Sequence, residues 1–445
     1  RNNDNIVSLK MKASFAGNKF DNATGSLDVS DVTYELPSGK TYNLKGLNLV
    51  ANNAGTPQKI TLNSDFVQGT LEGKFDFATL IPSVKGILAS VFPDVFGQFA
   101  KYANSRSANN FKFKFNLDPT DEFASLVKLP FKILYKTTVS GQIDVPGNKI
   151  DVSFAAPYLL QGKNIIEGTS AHVMYDSESQ LHITANTLFP SKNGKIAIHL
   201  NALGVNNRID SNIGWKYNRE HDFHGNIITS ALLSRDENKS IQAHVDINPS
   251  EIVVNDTVWN VQQGSLDYAH RLLQVDSLHI THDKQFISVL GKVSKDPSDE
   301  LTLQIKDINL DYIFETLNIS NVKFGGHGTG TFFASSLLSK NPRLETPDLH
   351  IDSMKYNDAL MGDADIQSHW DNENKAVAIN CDLSQGNGRH SRIDGAIFPS
   401  RDSLYFDFKP DGANVEFMKP FMAAFTSDVK GLASGHAVLL GNFHD

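Results

Sequence analysis

The sequence predicts an all-β fold, built from a long and mainly antiparallel sheet with a few short helices. Two observations carry the strand assignment. Apolar and polar residues alternate with a period of two in many segments, and turn signals separate these segments every 8–15 residues. A third is compositional, since 28 Phe and 39 Asn favour pleated surfaces and tight turns.

Each alternating segment places its apolar residues on one face of a strand and its polar residues on the other. On Phe111–Leu117, for example, Phe111, Phe113 and Phe115 alternate with lysine and asparagine. The segments in chain order are Leu71–Phe77, Phe111–Leu117, Ile150–Ala156, Ile196–Ala202, Ile241–Ile247, Leu301–Ile305, Val377–Leu383 and Leu404–Phe408. A sheet with one buried apolar face and one solvent-exposed polar face is typical of antiparallel sheets. The sequence has no alternating strand–helix units, and this excludes Rossmann-like and TIM-barrel folds.

Helical spacing is clearest over Ala78–Tyr102, where large apolar residues recur three and four apart and Pro93 is expected to kink or split the helix. We consider two roles for it, an ordinary packed helix and a plug or cap on the trough. Shorter helices are predicted at Asp121–Lys128, Asp311–Leu317 and Val415–Phe425.

The chain of 445 residues is predicted to be one elongated repetitive β region, 1–445, with sub-modules 1–145, 146–330 and 331–445. It begins at Arg1 and stops within an alternating pattern, so we interpret it as a piece of a longer protein. A net charge of −9 argues against nucleic acid as a partner. A lone cysteine, Cys381, excludes an intrachain disulfide framework.

No motif for catalysis, metal binding or a cofactor emerges, so we predict a protein that is not an enzyme and has no cofactor. The glycine-rich Gly325–Gly330 precedes a strand-like segment rather than a helix, which favours a bulged strand over a dinucleotide loop. Two histidine pairs have members three residues apart in strand-like segments, namely His221 with His224 and His279 with His282. On a strand such residues point to opposite faces, so the two histidines of a pair are not expected to bind one metal ion together. Paired carboxylates in turns are interpreted as solvated.

The many Phe-rich apolar faces leave two arrangements open. Two sheets could bury them in a closed core, or one curled sheet could leave a trough suited to a lipid acyl chain. The candidate residues that line such a trough are Phe111, Phe113, Phe115, Phe154, Ile198, Val245, Leu303, Ile379 and Phe406.

The stretch from Val245 to Ile313 favours the trough over the closed core, because it carries motifs that resemble those of a known family. They are Ile247–Trp259, Leu278–His282 with Gln285–Gly291, and Asp299–Leu301 with Ile308–Ile313. Together with the helix-then-glycine-strand segments Leu310–Phe333 and Val415–Leu440, they resemble the translocation and assembly module family TamB, within the AsmA-like group, in the form found in Bacteroidetes-type bacteria. The resemblance covers about Phe154–Asp445.

The resemblance implies a periplasmic protein that is anchored in the inner membrane when full-length. Its long, twisted sheet is expected to curl into a taco-like apolar trough, the β-taco. This hydrophobic groove is expected to carry phospholipid between the membranes of Gram-negative bacteria in outer-membrane biogenesis. It also implies an Omp85-type barrel partner that docks through regions outside this fragment. An alternative is a scaffold that assists outer-membrane β-barrel assembly by strand pairing. A carbohydrate-active β protein is a third class, which three scattered Trp residues disfavour.

Overall fold

The computed structural model is all-β, as the alternation predicts. The structure describes residues 6–36, 39–103, 109–119, 131–176, 180–191, 194–217, 222–311, 324–339, 342–386, 388–398, 401–419 and 428–442. Strands make up 70% of the chain and helices 9%. The contacts divide it into two compact units, unit 1 (Arg1–Asn218 with Ser230–Ile241) and unit 2 (Arg219–Thr229 with Gln242–Asp445). The three predicted sub-modules stay a prediction.

Unit 1 is a meander of long antiparallel strands. Its strands are β1 (Ile6–Ala16), β2 (Thr24–Glu35), β3 (Thr41–Asn52), β4 (Gln58–Ser64), β5 (Val67–Lys74), β6 (Asn110–Leu117), β7 (Lys132–Ile133), β8 (Thr137–Asp144), β9 (Lys149–Gln161), β10 (Asn164–Tyr175), β11 (Leu181–Ser191), β12 (Gly194–Val205), β13 (Arg208–Tyr217) and residues 230–235 of β14 (Phe223–Arg235). Strands β1 to β6 pair in sequential order, β6 pairs with β8, and β8 to β13 continue the ladder. The short β7 pairs with the far end of β9.

The predicted helix at Ala78–Tyr102 forms between β5 and β6 and is split where the sequence indicates. It consists of α1 (Phe77–Val91), α2 (Pro93–Phe96) and a 3-10 turn at Gly97–Tyr102. Pro93 takes the first position of α2, where its missing N–H costs no hydrogen bond. Asp76 caps α1 by accepting a hydrogen bond from the Ala78 N–H.

Unit 2 repeats the meander. Its strands are residues 223–229 of β14, β15 (Ile241–Asn248), β16 (Ser250–Val254), β17 (Thr257–Val261), β18 (Gly264–Ala269), β19 (Leu272–His282), β20 (Gln285–Val293), β21 (Glu300–Asn309), β22 (Phe324–Ser335), β23 (Arg343–Tyr356), β24 (Ala359–Asp371), β25 (Ala376–Ser384), β26 (His390–Phe398), β27 (Ser403–Lys409), β28 (Ala413–Asn414), β29 (Leu432–Ala433) and β30 (Ala437–Asn442). Strand β15 pairs with β18, the ladder runs from β18 to β27, and β30 pairs with β27.

The other predicted helices are less well tested. Asp121–Lys128 and most of Asp311–Leu317 lie outside the described residues. Of Val415–Phe425, residues Val415–Met418 form a 3-10 helix and Lys419 is α-helical, and the remaining residues lie outside the described ranges. The glycine-rich segment Gly325–Gly330 lies within β22, as the strand interpretation requires.

Two-residue turns set the register of several hairpins. Both residues of Asn206–Asn207, Asn255–Asp256, His270–Arg271 and Asn357–Asp358 have positive φ angles, between 48° and 67°. Such pairs are typical of type I′ turns, whose twist matches that of the flanking strands. Asparagine tolerates this conformation better than most residues, which explains part of its abundance.

Phenylalanine rings lie over glycines on neighbouring strands. The ladder places Phe115 opposite Gly69 and Phe406 opposite Gly395. A Cβ at Gly69 would lie 2.3 Å from Phe115 Cδ1, and one at Gly395 would lie 2.2 Å from Phe406 Cδ1. The rings therefore occupy the space that side chains would take at these glycines, and they cover backbone that a glycine leaves bare.

We expect Gly395→Ala to destabilise unit 2 by about 1–3 kcal/mol, because the new methyl group overpacks the site. Besides the Phe406 ring it would meet the Tyr405 carbonyl oxygen at 2.5 Å, and that oxygen is held by the ladder. Gly441→Ala, on β30, is the matched control because its Cβ would approach no atom closer than 3.7 Å. Urea unfolding of both variants checks this, and equal midpoints for the two would contradict the close packing.

Candidate functional site: the apolar sheet faces

All five predicted lining residues of unit 1 lie on one face of the sheet. Phe111, Phe113 and Phe115 alternate along β6, and Phe115 stands opposite Val139, which stands opposite Phe154. The ladder continues from Phe154 to Ala171 on β10, Ala185 on β11 and Leu200 on β12. Ile198 lies two residues from Leu200 on β12 and therefore points to the same side. Directly opposed residues of an antiparallel ladder point to the same side. We call this side the apolar face of unit 1.

One end of this face is covered by the helices. Ile87, Val91 and Phe92 form one buried cluster with sheet residues that include Phe111 and Tyr175. The sheet side of that cluster is Ala51, Ile60, Phe111, Ile143, Ile150, Tyr175 and Leu181.

Polar contacts hold the helices in place. The Ser90 hydroxyl lies 2.6 Å from the Tyr175 hydroxyl, the Asn207 N–H donates to the Val91 carbonyl at 2.7 Å, and Arg235 Nε donates to the Val95 carbonyl at 2.9 Å. The helix insertion is therefore a packed element that also covers one end of the face.

The predicted residues differ in accessibility. Phe111 is only 4% exposed, beneath the helices, and is out of reach of a ligand. Phe113 is half-buried against the same cluster, and Phe154 packs against a small cluster of Ile133, Ala156 and Leu159. Phe115 and Ile198 are half-buried and belong to no core cluster of the described residues.

The four predicted residues of unit 2 share a face in the same way. Val245 stands opposite Leu266, which stands opposite Val275, and Leu303 stands opposite Val289 and Phe332. Further along the ladder Ile379 and Phe406 both stand opposite Gly395. We call this side the apolar face of unit 2.

None of these four residues is closed into a core in the described part of unit 2. Val245, Leu303, Ile379 and Phe406 are all half-buried. The buried cluster of unit 2 instead contains Ile351, Met354, Met361, Ala364, Cys381 and Leu383. The lining assignments stay predictions, and eight of the nine side chains remain partly accessible.

The residues named as candidates leave out several neighbours that complete the faces. Val139, Leu200 and Ile213 continue the row that contains Phe115 and Phe154, and Ile213 is 40% exposed. Leu200 lies in the alternating segment Ile196–Ala202, whereas Val139 and Ile213 lie outside the alternating segments identified from the sequence. The cross-strand register that aligns them depends on turn geometry, which the sequence indicates only where asparagine or glycine marks the turn.

The opposite faces are polar and exposed. On β12 Ala197, His199 and Asn201 are exposed, whereas Ile196, Ile198 and Leu200 are half-buried. Histidine–aspartate pairs recur across the strands, with His244 Nδ1 at 2.7 Å from Asp267 Oδ1 and His350 Nδ1 at 2.7 Å from Asp365 Oδ1. Such pairs favour the protonated imidazole.

The histidine pairs and the cysteine noted in the sequence do not form a catalytic or metal-binding site within the described residues. His279 and His282 lie on β19, where His282 Nδ1 is 2.8 Å from the Val258 carbonyl, and His221 lies outside the described residues. Within the described ranges no group of three His, Cys, Asp or Glu side chains could hold a metal ion. Burial raises the pKa of the Cys381 thiol to about 12, which leaves it protonated and unreactive at neutral pH.

The helices of the described residues are all too short or too polar to cross a membrane.

His350 gives the polar face of unit 2 a measurable pH dependence. Hydrogen bonding to Asp365 raises the pKa of His350, and Asp352, 3.3 Å from Nε2, adds to this. The stabilisation is therefore complete below the ordinary pKa of about 6.5 and is lost as the pH rises through the raised folded value.

We expect His350→Gln to lower the free energy of unfolding by about 0.5 kcal/mol at pH 5.5, since the pair is half exposed, and to have no effect at pH 9. His224→Gln is the control, because His224 makes no ion pair within the described residues. A pH-independent loss in His350→Gln would show that packing, not charge, accounts for the effect.

The comparisons with known proteins leave the family of this chain open. No family model, no curated protein and no solved structure matches it. The resemblance to the TamB and AsmA-like group therefore depends on the motifs between Val245 and Ile313 and on the segments Leu310–Phe333 and Val415–Leu440, and it stays a prediction.

Proposed function

We propose that the apolar faces bind the acyl chains of phospholipids. One observation carries the proposal. Rows of apolar side chains run in register across many strands and stay half-buried outside the core clusters of the described residues. Packed sheet sandwiches bury such rows between two layers, so a partly accessible row has room for an apolar ligand.

The energetics suit a fatty chain rather than a polar ligand. Each CH₂ group taken out of water contributes about 0.8 kcal/mol, so a chain of about 15 carbons gains on the order of 12 kcal/mol before the costs of ordering and association. The hydrophobic effect is not directional and requires no specific polar contact. A face built from Phe, Leu, Ile and Val can therefore hold lipids of different acyl composition.

The sequence resemblance supplies the setting of the proposal. It points to a periplasmic conduit that carries phospholipid from the inner to the outer membrane in outer-membrane biogenesis, with an Omp85-type partner reached through other parts of the protein. The proposed role of this chain is binding, without catalysis or a cofactor.

A second candidate function is a scaffold that pairs with the strands of other proteins, and the last strand of unit 2 favours it. On β30, Val438, Leu439 and Leu440 are 49%, 60% and 72% exposed, and the strand has neither Lys nor Pro. Lysine and proline on a strand usually hinder its pairing with another chain. Strand β1 differs because it has Lys10, Lys12 and a bulge between Ser8 and Lys10.

The test changes the two faces of one strand separately. We expect Ile198→Asp with Leu200→Asp, on the apolar face of β12, to weaken binding of a fluorescent phospholipid at least tenfold, because a charge would meet the acyl chain. Ala197→Asp with Asn201→Asp adds the same formal charge on the polar face of the same strand and should leave binding unchanged. Organic extracts of the purified proteins, analysed by mass spectrometry, provide a second readout.

Two outcomes would contradict the proposal. One is a lipid-free wild-type protein that binds no added phospholipid. The other is equal loss in both double variants while circular dichroism shows that both remain folded. If peptides rather than lipids copurify, and Leu440→Lys removes them, the scaffold function replaces this one.

A further inference from the structure

The apolar face of unit 1 ends, away from the helices, in a rim of exposed tyrosines and lysines. Strand β7 pairs with β9 there, with Lys132 opposite Leu160 and Ile133 opposite Leu159. The rings of Tyr135 and Tyr158 contact each other in a tilted arrangement, with centroids 5.6 Å apart and 57° between the ring planes, and the two residues are 62% and 38% exposed. We call Lys132, Tyr135, Lys136, Tyr158 and Lys163 the rim site.

The rim site is continuous with the apolar face. Ile133 and Leu159 are buried with Ala156, and half-buried Leu117 and Phe154 pack against them. Phe154 belongs to the row of Phe115. Along this sheet the chain therefore places a covered end, then an accessible apolar row, and then the exposed tyrosines and lysines of the rim site.

The length of the accessible row fits one acyl chain. On β6 the segment from Phe113 to Leu117 spans four residues, about 13 Å at 3.3 Å per residue. Half of a hydrocarbon core about 30 Å thick is about 15 Å. A chain that begins near the helices therefore brings its headgroup to the rim site.

The rim site carries exposed positive charge. Among the described residues, Lys136 and Lys163 are exposed and make no ion pair, and Glu167 on the neighbouring β10 is held by Lys195 at 2.6 Å. Unit 1 as a whole has 24 Lys and Arg against 20 Asp and Glu, whereas unit 2 has 17 against 30. Tyrosine and lysine together are also the residues that favour a lipid–water interface.

We infer that the rim site binds the headgroup of an anionic phospholipid whose acyl chain lies on the apolar face of unit 1. The inference depends on the proposed function and adds a headgroup preference to it. Lys136 and Lys163 attract the phosphate and its net negative charge, and the Tyr135–Tyr158 pair covers the glycerol region. A zwitterionic lipid of the same chain length binds to the same face without this attraction.

The experiment compares dioleoyl phosphatidylglycerol with dioleoyl phosphatidylcholine, each presented to the whole chain in non-ionic detergent micelles. The wild-type protein should prefer the anionic lipid by about tenfold at low salt, and 0.5 M NaCl should reduce the preference. Lys136→Glu with Lys163→Glu should abolish the preference and leave phosphatidylcholine binding unchanged. Lys112→Glu with Lys114→Glu, on the polar face of β6, is the matched control and should keep the preference.

The outcomes separate this inference from the proposed function. Equal binding of both lipids by the wild-type protein would overturn the headgroup preference and leave acyl-chain binding intact. If neither lipid binds, the proposed function fails and the inference fails with it. Displacement of the lipid by millimolar inorganic phosphate alone would show a phosphate site that needs no acyl chain, which also overturns the inference.

Discussion

The strict alternation of side chains in an antiparallel ladder is the constraint on which the rest of this structure depends. Because opposed residues point to the same side, a two-residue period on each strand becomes a continuous apolar surface across the sheet. The row through Phe115, Val139 and Phe154 shows this on three successive strands. A slip of one residue in any hairpin would interrupt the row and place polar side chains within it.

The two ends of the apolar face of unit 1 differ, because one end is buried under the helices and the other end is exposed and polar. The helices bury Phe111, Tyr175 and their neighbours at one end. At the other end the sheet finishes in the rim site, where Tyr135 and Tyr158 are exposed. In the arrangement that we propose, an amphiphile on this face would have its apolar end toward the helices and its polar end toward the lysines. Glycines such as Gly69 and Gly395 let phenylalanine rings lie over the neighbouring strand, which keeps the face apolar where a side chain is missing.

Much of the fold could be predicted because its signals are local. Alternation identified the strands, and Pro93 marked the break between α1 and α2. The type I′ turn at His270–Arg271 could not be predicted, because neither residue is a usual choice for two positive φ angles. The candidate residues lie on the apolar faces, but their role as a lining stays a prediction, and local pattern could not distinguish Phe111 from Phe115. Only the helix insertion, which is a tertiary contact, buries one and leaves the other accessible.

The central claim is that the apolar faces contact acyl chains while the opposite faces do not. The most direct measurement is photocrosslinking with a benzophenone side chain, introduced at Ile198, Leu303 and Phe406 and, for comparison, at the adjacent polar-face positions His199, Gln304 and Asp407. The protein is irradiated with phospholipid vesicles, and the adducts are identified by mass spectrometry. The account expects lipid adducts at the first three positions only. Lipid adducts at both sets, or at neither, would contradict it.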